Sequence, residues 1–391
     1  MTETLYWLWL VMTFGAANPH IWDLLSCCEN VEQAYDKVQN KQFLLAKGQS
    51  ERKITIDNAA EVAHECFKKN IRICTYDSQE YPSNLRSIYN PPAVLFISGS
   101  VRNLDTELSI SIVGTRNPSA YGTEAVSKIT SELANAGFTI ISGFAAGIDS
   151  AAHRAALSAG GKTIAVLGCG IDVDYPKINS DIRDMIIANG AFVSEFLPGT
   201  PPVGKNFPIR NRILSGISLG VLVGEAPLGS GALITADMAI EQGRDVFCIP
   251  PADIFDRRYQ GVIKYLRDGA IPVFSHLDII YEYYTTFSHK LSSLKPEDEY
   301  DIPVNESSLF SSKKKKVHTV SEKTKEPVSI SYDGLSDDQI KIIELLKSGQ
   351  KHIDDIRSFA GIEIPDLLIE ITELEVSGII QAIPGSKYVL L

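Results

Sequence analysis

Short apolar runs alternate with helical patterns through the middle of the chain. The run Ser109–Val113 meets a polar turn, and apolar residues then recur at helical spacing through Ala125, Ile129 and Leu133. A second run, 138–142, follows and leads into another glycine-rich turn. Short β-branched strands that alternate with helices are typical of a parallel sheet covered by helices. The pattern therefore predicts an α/β domain.

The same alternation continues almost to residue 285. It predicts further strands at 163–167, 191–194, 219–223, 246–249 and 271–274, and two short strands near 71–75 and 93–97 that extend the sheet. We place this α/β domain at residues 76–285. Loops between its elements carry glycine and polar residues mostly after the strands, where helix N-termini are also expected.

The segments on either side of this domain have other patterns. Residues 1–75 predict a small all-helical domain, similar in pattern to SAM or helix-hairpin-helix modules. A DNA clamp and a packing domain are both compatible with it, and the lack of a glycine-rich hairpin favours packing. Residues 286–332, with the run Lys313–Lys316, predict a flexible charged linker in which the lysines are solvated.

Residues 333–391 predict a winged-helix domain, because three helical stretches are followed by a two-stranded hairpin. A winged helix that reads duplex DNA uses basic or amide side chains on its third helix. Here that helix carries only acidic charges, from Asp366, Glu370, Glu373 and Glu375. We therefore expect a protein-contact or regulatory module.

Length, charge and cysteines narrow the class of protein. The 391 residues suggest two or three domains, and a formal net charge of −11 argues against a surface that is basic throughout, although not against a local basic groove. Six scattered cysteines form no C-x-x-C pair, which predicts no metal site and favours a reducing cytoplasm. The apolar stretch 5–17 follows Glu3 and no basic residue, so we interpret it as a core helix rather than a signal peptide.

The candidate chemistry lies in the turns that follow the strands. Because the carboxyl ends of parallel strands share one edge, and helix N-termini there bind anions, we expect a phosphate-binding edge. Its candidate residues are Gly114, Thr115, Arg116, Ser142, Gly143, Gly147, Lys177, Lys205, Phe207, Arg210, Asn211, Arg212, Ser230, Gly231 and Thr235. Within this set we place 210–212 in a strand-end loop, where two guanidinium groups flank an amide.

Each candidate also has an ordinary structural role. Arg116 suits either a phosphate or a salt bridge across its loop, and Phe207 suits either a base or the underside of the loop. Ser230 suits either an anion site or a simple helix cap. Asp149 and His153, four residues apart, fit an acid/base dyad, although a structural pair is the commoner arrangement. No P-loop and no complete dinucleotide motif occurs, so we expect binding without catalysis and without a cofactor.

Several long motifs resemble the DNA-processing protein A family, also called DprA or Smf. They are IVGTRNPSAYG (112–122), SGFAAGIDSAAH (142–153), GGKTIAVLGCGIDVDYPKIN (160–179), SEFLPGTPP (194–202), FPIRNRILSG (207–216) and GSGALITADMAIEQGRDVF (229–247). The resemblance implies a Rossmann-like domain that binds single-stranded DNA without sequence preference, protects it and helps to load the RecA recombinase during natural transformation. It also implies a homodimer that forms through the central domain.

The resemblance further assigns the DNA-contacting arginine to Arg116 and the loop lysine to Lys177, with the turns 143–147 and 229–231 lining the same pocket. Two alternatives remain. One is a nucleotide-binding hydrolase of the phosphoribohydrolase type, whose Pro-Gly-Gly-x-Gly-Thr turn is replaced here by 227–231, PLGSG. The other is a nucleotide-sensing scaffold that neither binds DNA nor turns over a substrate.

Overall fold

The computed structural model describes residues 2–43, 54–101, 104, 108–287, 290, 335–347, 349–362, 364–377, 379–383 and 387–390. The chain divides into two compact units, Met1–Asp301 and Ile302–Leu391. The predicted linker 286–332 lies almost entirely outside the described residues. No described helix has the length and apolar character needed to cross a membrane.

A nine-stranded sheet forms the centre of the first unit, with the order β1-β2-β6-β5-β4-β3-β7-β8-β9. All pairings are parallel except those of β2 with β1 and β6, which are antiparallel. The strands are β1 (Arg72–Thr75), β2 (Val94–Gly99), β3 (Ser109–Val113), β4 (Thr139–Ser142), β5 (Thr163–Leu167), β6 (Gly190–Ser194), β7 (Gly220–Val223), β8 (Asp245–Cys248) and β9 (Ile271–Pro272). This is the α/β architecture that the alternating pattern predicts.

The strand order reverses at β3. From there the chain runs outward through β4, β5 and β6, and it then returns to place β7 against the other side of β3, so that Ile110 pairs with both Ile140 and Gly220. Loops that leave β3 and β7 therefore diverge and open a crevice between them. Open α/β sheets bind ligands at such a switch point, beyond the carboxyl ends of the strands.

Helices cover both faces of this sheet because their apolar stripes pack on fully buried strands. They are α1 (Thr2–Phe14), α2 (His20–Leu25), α3 (Val31–Gln39), α4 (Ile56–Lys68), α5 (Ser83–Arg86), α6 (Ala120–Asn135), α7 (Ile148–Ser158), α8 (Arg183–Asn189), α9 (Asn206–Ile217), α10 (Gly231–Glu241), α11 (Gln260–Arg267) and α12 (His276–Tyr284). Two 3-10 segments, Lys177–Ile182 and Arg257–Tyr259, lie in the connections.

The N-terminal helices are part of the first unit. Trp9 and Leu10 of α1 belong to the same buried cluster as Phe96 of β2 and Phe192 of β6. The N–H of Ala17 also donates to the carboxylate of Glu195, at 2.9 Å, which lies just after β6. The expected boundary near residue 75 therefore does not separate two compact units, because the helices and the sheet share one core.

Helix α9 replaces the loop that the sequence pattern predicts around residues 210–212. Pro208 falls in its first turn, where a missing N–H costs no intrahelical hydrogen bond. Nine of its twelve residues are buried, so polar residues such as Asn206 and Asn211 lie inside the protein and hide the helical periodicity. Consecutive helical residues point about 100° apart, so 210, 211 and 212 face in three directions.

The second unit contains α13 (Asp337–Leu346), α14 (Ile353–Ala360) and α15 (Ile364–Val376), with a small sheet of order β10-β12-β11. Its strands are β10 (Lys351–His352), β11 (Ile380–Ile383) and β12 (Lys387–Leu390). The three helices and the antiparallel pair β11–β12 lie where the sequence pattern expects them, while the turn 384–386 is outside the described residues. The assignment of this unit as a winged helix stays a prediction.

Acidic side chains on α15 form hydrogen bonds inside this unit. Glu370 accepts from the hydroxyl of Ser336 at 3.0 Å, and Glu373 accepts from the amide of Gln339 at 2.8 Å. Ser336 also caps α13 by accepting from the N–H of Gln339 at 3.1 Å. The acidic residues thus help to fix the start of α13 against α15.

Candidate nucleic-acid interface

A cavity of about 600 Å³ lies beyond the carboxyl ends of β3 and β7, at the point where the strand order reverses. Its walls come from the loop after β3, from α9 and from the first turn of α10. The lining residues are Val113, Gly114, Thr115, Arg116, Ala145, Asp149, Tyr175, Pro202, Gly204, Phe207, Pro208, Arg210, Asn211, Leu214, Ser230, Gly231, Ala232 and Thr235. A cavity of this size accepts a nucleotide-sized ligand.

The structure brings most of the sequence-predicted candidates to this cavity. Those on its wall are Gly114, Thr115, Arg116, Phe207, Arg210, Asn211, Ser230, Gly231 and Thr235. They come from the loop after β3, from α9 and from the N-cap and first turns of α10, which are widely separated along the chain. The strand-end turns therefore lie together around one cavity, as the sequence predicts. That these residues contact DNA stays a prediction.

Arg116 and two aromatic rings form one wall of the cavity. The guanidinium carbon of Arg116 lies 5.6 Å from the centroid of the Phe207 ring, and the rings of Phe207 and Tyr175 are 5.9 Å apart. Arg116 is exposed and forms no ion pair with any described residue. A cation beside an aromatic face offers both charge and a stacking surface to a nucleotide.

Arg210 is a buried cation at the cavity floor. Its side chain is on the lining although the residue is only 4% exposed, and its Nη1 donates to the carbonyl of Val166. Burial lowers the pKa of this guanidinium to about 10. A Cβ atom on Gly143 would lie 2.5 Å from Nη1, so only glycine leaves room for this side chain. Arg210 therefore remains charged at neutral pH and brings positive charge to the floor.

Asp149 lies on the same floor and is already hydrogen bonded. Its carboxylate accepts from the N–H groups of Gly143, at 3.1 Å, and Ala145, at 3.3 Å. Burial raises the pKa of this carboxyl, while the charge of Arg210 and the two N–H donors oppose that shift. The acid therefore holds the turn after β4 in shape beneath the cavity.

Asp149 and His153 do not form the dyad that their spacing permits. Nδ1 of His153 is 2.7 Å from the hydroxyl of Thr163, whereas Asp149 bonds to the turn after β4. That hydroxyl donates to the carbonyl of Ile140, so it accepts from Nδ1–H. Burial, together with the charge of Arg210, lowers the pKa of His153 to about 3. The imidazole is therefore neutral and structural.

The glycine at 147 lets two loops meet beside the cavity. Its φ of 82° is left-handed, and a Cβ there would lie 2.4 Å from the carbonyl oxygen of Thr115. The N–H of Ile148 then donates to that same carbonyl at 3.2 Å. Gly147 is thus needed for the contact that positions Thr115 and Arg116.

Four other candidates lie elsewhere. Ser142 is fully buried, and its hydroxyl donates to the carbonyl of Ile112 at 2.6 Å, so it joins β4 to β3 instead of facing a ligand. Gly143 borders a smaller adjoining cavity of about 70 Å³. Lys177 and Lys205 are both exposed and outside the lining, each next to residues that form it.

Arg212 also does not occupy its expected position. Its guanidinium forms a buried ion pair with Glu195, 2.8 Å away, and donates to the carbonyl of Asn90 at 3.0 Å. Because α9 is helical, Arg212 points away from the wall that Arg210 and Asn211 line. Of the two arginines that the sequence suggests would face a phosphate, only Arg210 therefore lines the cavity.

The sequence reasoning did not select Tyr175 and Glu225. Tyr175 extends the aromatic wall, and its position in the polar turn after β5 was the available signal. Glu225 is fully buried after β7 and accepts from both the N–H and the hydroxyl of Ser119. A carboxylate that directly follows Gly224 at the end of a buried strand was the signal for it.

Comparison with known proteins identifies the family. Residues 72–284, more than half of the chain, match the family model described as DNA recombination-mediator protein A. The chain belongs to this family. It is 43% identical over 215 residues to the DNA processing protein DprA of Bacillus subtilis, which covers 55% of this chain and 72% of the relative. It is also 32% identical over 355 residues to the protein Smf of Escherichia coli, which covers 90% and 86%.

Solved structures of DprA proteins agree with the fold. DprA from Streptococcus pneumoniae superposes with a TM-score of 0.58 at 34% identity, over 71% of this chain and 97% of that one. DprA from Helicobacter pylori, studied for its single-stranded DNA binding mode, superposes with a TM-score of 0.50 at 29% identity, over 55% and 97%. The family's fold is thus the fold of the first unit of this chain.

Proposed function

We propose that this member of the DprA family binds single-stranded DNA without sequence preference in the cavity beyond β3 and β7. Bound strand is protected from nucleases there and is passed to the RecA recombinase during natural transformation. The protein acts by binding, without turning over a substrate, and as a cytoplasmic homodimer that forms through its first unit. The family assignment supports this proposal, as does the relative from Helicobacter pylori, whose structure was studied for its single-stranded DNA binding mode.

The observation that carries the proposal is the position of Arg116. It is an exposed guanidinium beside the Phe207 ring, on the wall of a cavity whose floor holds Arg210. Both cations line one cavity and neither forms an ion pair with a described carboxylate, so together they attract an anion. The neighbouring aromatic ring suits a base, which is the other half of a nucleotide.

Single strands fit this arrangement better than duplexes do. Stacking on Phe207 and Tyr175 needs an unpaired base whose face is free, and duplex DNA hides its base faces. Phosphate contacts by arginine carry no sequence information, so binding tolerates any base. The overall charge of −11 is compatible with this, because the cations that matter are local.

The test is a titration of the full chain with single-stranded and double-stranded oligonucleotides of matched sequence at several salt concentrations. We expect the single strand to bind more tightly, with an affinity that falls as salt rises. Arg116→Ala should weaken binding about tenfold or more and make the salt dependence shallower, since a charge-assisted contact is lost. Arg267→Ala, an exposed arginine outside the cavity lining, is the matched control.

Two results would contradict the proposal: equal affinity for the duplex, or an Arg116→Ala variant that binds like wild type. Loading of RecA is tested separately, by comparing RecA filament formation on coated single strands with and without this protein. A stable monomer at the concentrations that bind DNA would overturn the proposed homodimer.

A further inference from the structure

The loop that carries Arg116 joins β3 to α6 and spans residues 114–119. Arg116 and Asn117 at its tip are exposed. Among the described residues, the Arg116 side chain has no ion-pair partner, and its guanidinium contacts the ring of Phe207. The position of this cation therefore depends on how the backbone of the loop is held.

Glu225, which follows β7, holds the start of this loop through its backbone. Its carbonyl accepts from the N–H of Thr115 at 2.7 Å. A Cβ on Gly114 would lie 2.9 Å from that carbonyl oxygen, so the two backbones approach too closely for a side chain at this position. The start of the loop is thus attached to the residue that ends the neighbouring strand.

The side chain of Glu225 holds the other end of the loop. Its fully buried carboxylate accepts from the N–H of Ser119 at 3.1 Å and from the hydroxyl of Ser119 at 2.5 Å. A Cβ on Gly122 would lie 2.3 Å from Oε2 of Glu225, so glycine in the first turn of α6 makes room for the carboxylate. Backbone and side chain of one residue therefore fix both ends of the segment 115–119.

A hydroxyl from the segment that precedes α11 completes this arrangement. The Ser119 hydroxyl has one proton, which it donates to Glu225, so in its contact with Tyr259 at 2.9 Å the Tyr259 hydroxyl donates. The same serine oxygen accepts from the N–H of Gly122 at 3.0 Å. Because Tyr259 is only 2% exposed, water does not compete for its hydrogen bond. The direction of the Ser119 hydroxyl is therefore fixed towards Glu225.

Glu225 does not line the cavity, so it does not contact a ligand there. Its negative charge by itself would repel a phosphate nearby. A carboxylate that only capped α6 would leave the start of the loop untouched, whereas Glu225 also accepts from Thr115. The arrangement is thus one that fixes the loop and not only the helix.

We propose that Glu225 is a positioning residue for DNA binding, which holds the loop so that the guanidinium of Arg116 stays beside the ring of Phe207. It acts together with Ser119 and Tyr259 and without touching the strand. A cation held in its binding position loses less conformational freedom when it contacts a phosphate, so the affinity is higher. This inference rests on the proposed function and adds residues that lie outside the cavity.

The test is the substitution Glu225→Gln, which keeps the size of the side chain and removes its charge. If charge were the only effect, the variant would bind an anion more tightly. The positioning role predicts about fivefold weaker binding of a fluorescent oligo(dT), because the amide has one acceptor oxygen where the carboxylate has two. Tyr283→Phe also removes a hydrogen bond to a carboxylate, that of Asp245, and should bind like wild type because neither residue lines the cavity.

Dependence on Arg116 separates positioning from general damage to the fold. In an Arg116→Ala background the loop has no cation to position, so Glu225→Gln should weaken binding there by less than about 1.5-fold. Ser119→Ala should behave like Glu225→Gln in both backgrounds. Ser119→Thr keeps the hydroxyl and should bind within about twofold of wild type. Thermal unfolding establishes that each variant is folded at the temperature of the assay.

The outcomes separate this inference from the proposed function. If wild type binds no single-stranded oligonucleotide, or if Arg116→Ala binds like wild type, the proposed function fails. If Arg116→Ala binds weakly but Glu225→Gln binds as tightly as wild type or more tightly, the positioning role is wrong. It is also wrong if Glu225→Gln weakens binding equally in both backgrounds. Should Glu225→Gln not fold, equal affinities of Ser119→Ala and Ser119→Thr would overturn the proposal.

Discussion

The guanidinium of Arg116 lies over the ring of Phe207, 5.6 Å from its centroid, although the two residues are far apart in the sequence. One follows β3, and the other is in the first turn of α9. Their contact joins the charged and the aromatic parts of the cavity wall. The binding properties of the cavity therefore depend on both residues together.

Phe207→Ala should weaken binding of single-stranded DNA, because stacking on an aromatic ring contributes about 1–3 kcal/mol per base. Phe207→Tyr keeps the ring and should retain most of the affinity. The measurement is fluorescence anisotropy with oligo(dT) and with a mixed sequence. Phe274→Ala, which removes an exposed ring outside the cavity lining, controls for general surface effects. If Phe207→Ala binds with wild-type affinity, the base does not stack on Phe207.

Gly143→Ala should destabilise the first unit. The new Cβ would lie 2.5–2.7 Å from the guanidinium of Arg210, and relieving such overpacking costs about 1–3 kcal/mol. Gly204→Ala is the matched substitution, since its Cβ meets nothing within 4 Å and its stability should be close to that of wild type. Urea unfolding of the two variants measures the difference. Equal midpoints would mean that Arg210 moves aside without cost.

Arg212→Ala should lower the free energy of unfolding by about 3–5 kcal/mol, because it leaves the carboxylate of Glu195 buried without its counter-charge. Arg154→Ala, which breaks the exposed pair with Asp181, should cost about 1 kcal/mol or less. Chemical denaturation measures both values. A loss of DNA affinity in Arg212→Ala without a loss of stability would indicate that Arg212 contacts the DNA.

His153 should make the protein less stable as the pH falls. Its pKa in the folded state is about 3, against an ordinary value near 6.5, so between these values the unfolded chain binds a proton that the folded chain does not. Its contribution is complete above pH 6.5 and declines by about 1.4 kcal/mol per pH unit below it. Asp149, whose pKa burial raises, has the opposite slope at acidic pH.

The difference between wild type and His153→Gln isolates the histidine, because the slope of Asp149 is present in both. We expect the wild type to lose stability relative to the variant as the pH falls from 7 to 5, as followed by thermal unfolding. A constant difference across this range would show that His153 takes up a proton in the folded protein.

Residue patterns predicted the sheet well, for a physical reason. Strands β3 and β5 are buried on both faces, so they appear as continuous β-branched runs, and their predicted limits agree with the structure. The sequence also predicts that Arg116, Ser230 and Gly231 lie at the same edge of the sheet, because the carboxyl ends of β3 and β7 are neighbours there. All three line the cavity.

The partners of individual side chains could not be predicted from the sequence. Helix α9 was missed because its buried polar residues and Pro208 interrupt the apolar periodicity. Whether an arginine on it faces the cavity or a carboxylate depends on the direction of each position around the helix. Arg212 finds Glu195 and Asn90 only through tertiary packing, and Glu225 reaches Ser119 across two elements.

Glu195 receives hydrogen bonds from two distant parts of the first unit, from the N–H of Ala17 and from the guanidinium of Arg212. An experimenter who shortens the protein to its sheet would remove the first of these and uncover the aromatic side chains under α1. Such a fragment is expected to precipitate or to need refolding additives. Expression designs should therefore keep the leading helices attached.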